Sequence, residues 1–549
     1  MRPAIGRPSE SSPVISQRDF ARWPIAVLWI AAAGCGDQPK PRPIVPATAG
    51  APSQANPGQT IGGDADLEVG RGAIINSVMQ MLRRAAENPG SQGFTMATER
   101  LNYYFEDAPA ADFALSPGAK EFLDKRLDAS LSGPLTTRAY TLTDARHIED
   151  CILYSAVATR VAGEGDDLSR ASRLFAWLVR NVELVPPQAL APPNGQQAKA
   201  RPYDVLLRGM ATEGAGDWSE RSWVFIALCR QLNIDAALLT IIPEGPVADA
   251  QVAVWAVAAL VDGKPYLFDA RIGLPIAGPG GKGVATLEQA IADPSILRRL
   301  DLPGEDAYQT SAATLRRCKI GVLLDSSRGY LSPRMRTLER ELSGRNRLIL
   351  HRDPAELEAA FSKALGDRFD KAQLWGTPLE VEIRLFTDPQ FVAASQFAMY
   401  PFDPKLPLLS ARMAQLRGDL PEAIQRYVAF RFAEGGMIGK GTPMPPQIQA
   451  EMDMYATYFL GLAQLELGLE GQAEMCFEQA LKLLPEPEPG PPFCRMYRWG
   501  AHTNLALLAE ARGDDRRAAA QYAFDVQTTA NQGNRLRARN LIWRDVFAH

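Results

Sequence analysis

The chain has 549 residues, of which 46% are hydrophobic and 22% charged, with a formal net charge of -4. At about 150 residues per domain this length implies several cores, and the balance offers no basic excess to hold a phosphate backbone, so nucleic acid is not an expected partner. Six cysteines (35, 151, 229, 318, 476, 494) form no CxxC pair and four histidines (147, 351, 502, 549) stand far apart, so no metal site, cofactor or disulfide framework is expected.

After a polar start bearing Arg18 and Arg22 comes the apolar run "WPIAVLWIAAAGC". It has the length of a secretory h-region and is too short to span a bilayer as a helix. Its end, Ala32-Ala33-Gly34-Cys35, resembles the lipobox of bacterial lipoproteins, which implies a signal peptide over 1–35, lipidation of Cys35 and an extracytoplasmic, membrane-anchored chain. Residues 36–66, rich in Pro, Ala and Gly, are expected to form a tether without a core.

Apolar residues at helical spacing (Ile74, Ile75, Val78, Met81, Leu82; then Leu101, Tyr104, Phe105) predict a helical lead-in over 67–144. Two more helices are predicted before Pro186-Pro187, the second being "SRASRLFAWLVRNVEL". A glycine-marked loop (Gly209, Gly214, Gly216) then opens the helix in "GDWSERSWVFIALCRQLNIDA". Two strand patterns follow, "AALLTIIP" and "VAVWAVAALVDGKPYLFDAR", the second broken by the hairpin signal Asp262-Gly263.

This stretch, 145–299, resembles the transglutaminase-like superfamily, whose papain-type core places a Cys at a helix N-terminus, a His on a following strand and an Asp on the next. In that alignment "GDW" with "LCRQLNIDA" puts Trp218 at the nucleophile, "AVWAV" puts Ala253 at the base while keeping Trp255, and "YLFDARIG" keeps Asp269. The chemistry needs a thiolate favoured by the helix dipole, an imidazole to carry its proton and a carboxylate to orient the imidazole. Indole supplies no nucleophile and a methyl group moves no proton, so the resemblance implies an enzyme fold without catalysis. Cys229 lies eleven residues along the helix, roughly 16 Å from the site at 1.5 Å per residue, and reads as a core residue. Ser219 and Ser222 have only acids such as Glu220 and Asp269 nearby. His147 and Cys151, four apart in "RHIEDC", would share a helix face and could form a thiol–imidazole pair. Trp218, Trp223 and Trp255 are expected either to plug the vacant site or to line a groove that grips a peptide.

Residues 300–403 read as strand, helix, strand, helix, strand: "IGVLLD", a helix from Ser332-Pro333 to Gly344, "RLILH", a helix capped by Asp353 with Pro354 first and Glu356 placed for a capping box, then the alternating "LEVEIRLF". This predicts a small α/β subdomain. The remainder, 404–549, is helical and repetitive. Leu460, Gly461, Gly468, Ala473, Phe477, Ala480 and Pro485 have the spacings of a tetratricopeptide repeat, preceded by a partial copy (Gly418, Ala423, Tyr427) and followed by another (Leu505, Ala506, Gly513, Ala518, Tyr522). Such repeats imply a short solenoid whose surface takes a protein or peptide partner, or packs only on its neighbour.

The fold class expected is therefore multidomain α+β with a helical solenoid at the C-terminus. The function expected is protein recognition at a bacterial membrane surface by a catalytically degenerate domain and a repeat scaffold. The alternative is a peptidase, amidase or acyl transferase working through non-standard residues.

Overall fold

The computed structural model describes residues 64–547, apart from 86–91, 187–189, 193–194, 196, 198, 214–218, 244–251, 303–306, 405, 432–436, 439–441, 444–445, 484–491 and 525–531. The expected signal peptide, Cys35 and the expected tether up to residue 63 lie outside the described residues, and so does Trp218, while residues 64–66 already belong to the first helix. The protein is a mixed α+β chain in which helices outnumber strands.

Helices α1 (Asp64–Ala85) and α2 (Gln92–Tyr104) form the lead-in. They pack through Val78, Leu82 and Leu101 on α3 (Leu142–Ala162), whose start is closed by a reciprocal cap between Thr141 and Asp144. Helix α4 (Asp167–Asn181) stops earlier than its apolar pattern suggests, because Glu183–Val185 leaves it as strand β1 and pairs in parallel with β2 (Met210–Thr212). Helix α5 (Pro202–Arg208) lies between these two strands in sequence and ends on Gly209 in the left-handed region. Helix α6 (Glu220–Gln231) is buried from Glu220 to Arg230, which is why it carries apolar residues on every side.

The sheet beside it runs β6-β5-β4-β3-β7-β8, built from β3 (Ala236–Pro243), β4 (Ala253–Val261), β5 (Lys264–Asp269), β6 (Leu274–Pro275), β7 (Cys318–Asp325) and β8 (Phe369–Trp375). All neighbours are antiparallel except β7 and β8. The β4–β5 turn has positive φ at both Asp262 (51°) and Gly263 (71°), the two-residue hairpin that the Asp-Gly pair signals. Side chains alternate across the sheet. Leu238, Val257 and Phe268 face α6, where Phe268 and Phe175 pack on Phe225 with ring centroids 5.0 and 5.1 Å away. Ala237, Ala258 and Leu267 face the opposite core with Leu357 and Phe361.

The region 300–403 departs from expectation in three ways. It is no separate subdomain, because β7 pairs along its length with β3 and carries β8 on its other edge, so the sheet is continuous. "RLILH" forms no strand. The Ile349 amide donates to the Gln231 side chain, and those of Leu350 and His351 donate to Glu339 Oε2, so side chains satisfy donors that a ladder would otherwise need. Helices α7 (Pro333–Glu341) and α8 (Pro354–Leu365) start where predicted; α7 ends three residues before Gly344, and α8 is capped by Asp353 Oδ1 accepting from the Ala355 and Glu356 amides. The alternating "LEVEIRLF" is not a strand but part of α9 (Gly376–Thr387). There Glu380, Arg384 and Asp388 form ion pairs four residues apart, a spacing that only a helix rewards.

The described residues of the C-terminal region form three helical hairpins, α10–α11 (Pro407–Arg417, Leu420–Arg431), α12–α13 (Pro446–Glu466, Glu470–Lys482) and α14–α15 (Pro492–Ala511, Asp515–Tyr522), followed by α16 (Gln532–Phe547). Each turn holds a glycine at positive φ: Gly418 at 95°, Gly468 at 75° and Gly513 at 76°. Five and nine residues later stand a buried alanine and a buried aromatic (Ala423 and Tyr427, Ala473 and Phe477, Ala518 and Tyr522). The first helix of every hairpin faces the α/β body. Arg412 of α10 donates to the carbonyls of Leu206 and Leu207, Phe459 of α12 lies against Gly209, and Tyr497 of α14 donates to the Arg208 carbonyl.

Candidate functional site

The start of α6 is where a nucleophile would gain from the helix dipole. Two carboxylates of the protein stand beside it, Glu213 accepting an amide of α6 itself and Glu220 amides of neighbouring segments. Glu220 Oε1 accepts from the Ala200 amide at 2.6 Å, and its Oε2 accepts from the Thr212 amide at 2.8 Å and pairs with Arg208 at 2.5 Å. Glu213 Oε1 accepts from the Arg221 amide at 3.2 Å, while its Oε2 is enclosed without a hydrogen-bond partner among the described residues. That enclosure pushes the Glu213 carboxyl up to about 7. Ser219 donates to Ser222 at 2.5 Å, and the Arg221 guanidinium is spent on the carbonyls of Val182 and Ala270.

The other aligned positions sit on β4 and β5, in the order of elements the sequence implies. Between Leu238–Val257 and Thr240–Val254 the pairing slips by one residue, so β4 has a bulge near Trp255. Below the bulge Val254 packs toward the α6 side, whereas Ala253 pairs with Ile241 and is exposed. Asp269 is buried and follows Phe268, so its carboxylate turns to the face opposite α6. There Trp255 Nε1 donates to Tyr308 Oη at 2.9 Å, and Tyr308 Oη donates to Asp269 Oδ2 at 2.7 Å. Asp269 Oδ1 accepts from the Arg271 amide at 3.0 Å. A tyrosine thus takes the acceptor that the superfamily alignment would give to an imidazole. Nothing in the run around Tyr308 signals this, because the relay depends on chain segments 39 and 53 residues apart.

Trp223 and Trp255, the two of the three expected tryptophans that lie among the described residues, belong to different cores. Trp255 belongs to the core on the Tyr308 side, while Trp223 lies in the core around α6, edge-on to Trp375 and donating to Asp325 Oδ2 at 3.3 Å. Asp325 also pairs with Arg230 at 2.8 Å and accepts from Ser327.

His147 and Cys151 do share a face of α3, with Sγ 3.7 Å from Nε2. Yet Nε2 lies 3.0 Å from the Leu350 carbonyl, an acceptor only, so it must carry the proton and cannot take one from the thiol. The thiol donates instead to Tyr330 Oη at 3.3 Å. Burial holds the Cys151 thiol far above its ordinary range and lowers His147, which keeps both groups neutral. The adjoining cleft between α3, α6 and α9 contains Asp150, raised by burial to about 6, and Glu382, raised to about 7. Its cavity is about 40 Å³, room for water rather than a peptide. Among the described residues no group of three or more His, Cys, Asp and Glu side chains is placed to hold a metal ion, and no helix is long and apolar enough to cross a membrane. No protein-family model matches the chain, and no curated protein or solved structure matches it.

Proposed function

We propose that the chain is a membrane-anchored, extracytoplasmic recognition protein, in which a transglutaminase-like domain without catalysis carries tetratricopeptide-type hairpins. The observation that carries the reading is the start of α6, where Glu213 accepts the Arg221 amide of the helix and Glu220 is held by Arg208 and by the amides of Ala200 and Thr212. The neutral His147–Cys151 pair and the Tyr308-bound Asp269 support it. Since the first helices of the hairpins face the body, the surface left for a protein partner is that of the second helices. On α13 Met475 is 70% exposed, and Leu469 and Leu483 flank it at 40% and 37%. The Cys35 lipid would anchor the chain to a membrane.

The full chain, used as bait in membrane extract, is expected to recover a partner that Met475→Glu with Leu483→Glu no longer recovers. Equal recovery by both would overturn the recognition reading. Purified chain is expected to show no amidase or transamidase turnover; turnover abolished by Asp269→Asn would establish the enzymatic alternative.

A further inference from the structure

In a protein of net charge -4, five arginines line one cavity of about 640 Å³: Arg83, Arg84, Arg160, Arg345 and Arg417. It lies among the end of α1, the middle of α3, the turn at Gly344–Asn346 and the end of α10. No carboxylate is among the described residues that line it. Glu466, from outside the lining, pairs with Arg160, whose Nε and Nη2 stay buried without a hydrogen-bond partner among the described residues. Arg83 donates to the Arg345 carbonyl at 3.1 Å, and Arg417 donates to the Arg83 carbonyl. These bonds between side chains and backbone of like-charged neighbours fix the side chains and cap the end of α1. The repulsion registers on Arg83, whose guanidinium is lowered first by burial and then by Arg345 and Arg417.

We propose that this cavity binds a multiply charged phosphate group. Guanidinium forks match phosphate oxygens in pairs, the Ser155 and Thr159 hydroxyls add neutral donors, and Ile152 and Leu348 supply an apolar wall for the organic part of an ester. The volume falls in the range of small-molecule sites. The source is either a soluble phosphate ester or a lipid headgroup, and the inference stands apart from the recognition surface on α13.

The test titrates the full chain in detergent with inorganic pyrophosphate, and separately with vesicles containing phosphatidic acid, whose headgroup is a phosphate monoester. Wild type is expected to bind at least one of them, with a raised melting temperature. Arg345→Ala and Arg83→Ala should each weaken that binding about tenfold, in line with the loss of one charge-assisted hydrogen-bonding group. Arg345 is exposed, so Arg345→Ala is expected to fold and, without ligand, to melt no lower than wild type because one repelling charge is gone. Pyrophosphate binding identifies a soluble ester, and arginine-dependent binding to vesicles alone identifies a headgroup. Absence of both, or binding unchanged in both variants, overturns the proposal, as does Arg345→Ala melting well below wild type without ligand.

Discussion

Glu213 gives the α6 site a pH signature of known sign. Its carboxyl is raised from an ordinary 4.5 to about 7, so between these values the folded chain holds a proton that the unfolded chain has shed. Stability from this group is therefore intact below about 4.5 and is lost as pH rises to about 7. Glu213→Gln keeps the neutral shape, and is expected to stabilise the protein by about 1–3 kcal/mol at pH 8 with no gain at pH 4.5. Urea midpoints of the two proteins at both pH values check this, and a gain independent of pH would sink it. His351, lowered by burial to about 4, acts in the opposite direction below its ordinary 6.5, but it is common to both proteins and cancels in the difference. Neither Glu213 nor Tyr308 could be picked from the sequence as a site residue, because each acquires its role from a partner on another element.

The features legible from sequence were those decided within a few residues. Asp262-Gly263 required a left-handed turn, Asp353-Pro354 a helix start, and the recurring glycine, alanine and aromatic a set of hairpins. Residues 379–386 were misread because their polarity suits a strand as well as a helix, and the choice falls to ion pairs at helical spacing. Continuation of the sheet through β7 and β8 was illegible for a related reason: strand pairing across some 80 residues leaves no local mark. Two glycines of one hairpin separate backbone from packing effects. A Cβ on Gly461 would come within 2.8 Å of the Phe477 ring, whereas one on Gly468 meets nothing but has φ 75°. Gly468→Ala should cost about 1 kcal/mol through backbone strain, and Gly461→Val about 1–3 kcal/mol or more through overpacking. Thermal denaturation that ranks them in reverse would contradict the packing described.

Across the whole molecule, the hairpins and the α/β body share buried polar contacts. Arg412 is fully buried, with Nη2 2.8 Å and Nε 3.2 Å from body carbonyls, and its guanidinium lies 4.4 Å from the centre of the Phe459 ring. Arg412→Met keeps the bulk but leaves two carbonyls without this donor, a loss of about 2–6 kcal/mol at about 1–3 kcal/mol for each unsatisfied group. Calorimetry of the described body should show one cooperative transition that moves down as a unit in this variant. Two separated transitions would mean that the hairpins fold independently.

Repeat arrays ordinarily gain and lose copies with little consequence, since each unit touches only its neighbours. Here α10 is keyed to α5, α12 to Gly209 and Trp177, and α14 to Arg180 and Arg208. Duplicating or deleting one hairpin would carry every later helix away from its own counterpart. The number of copies is thus a fixed property of this chain, and length variation would be tolerated only in the segments joining the hairpins.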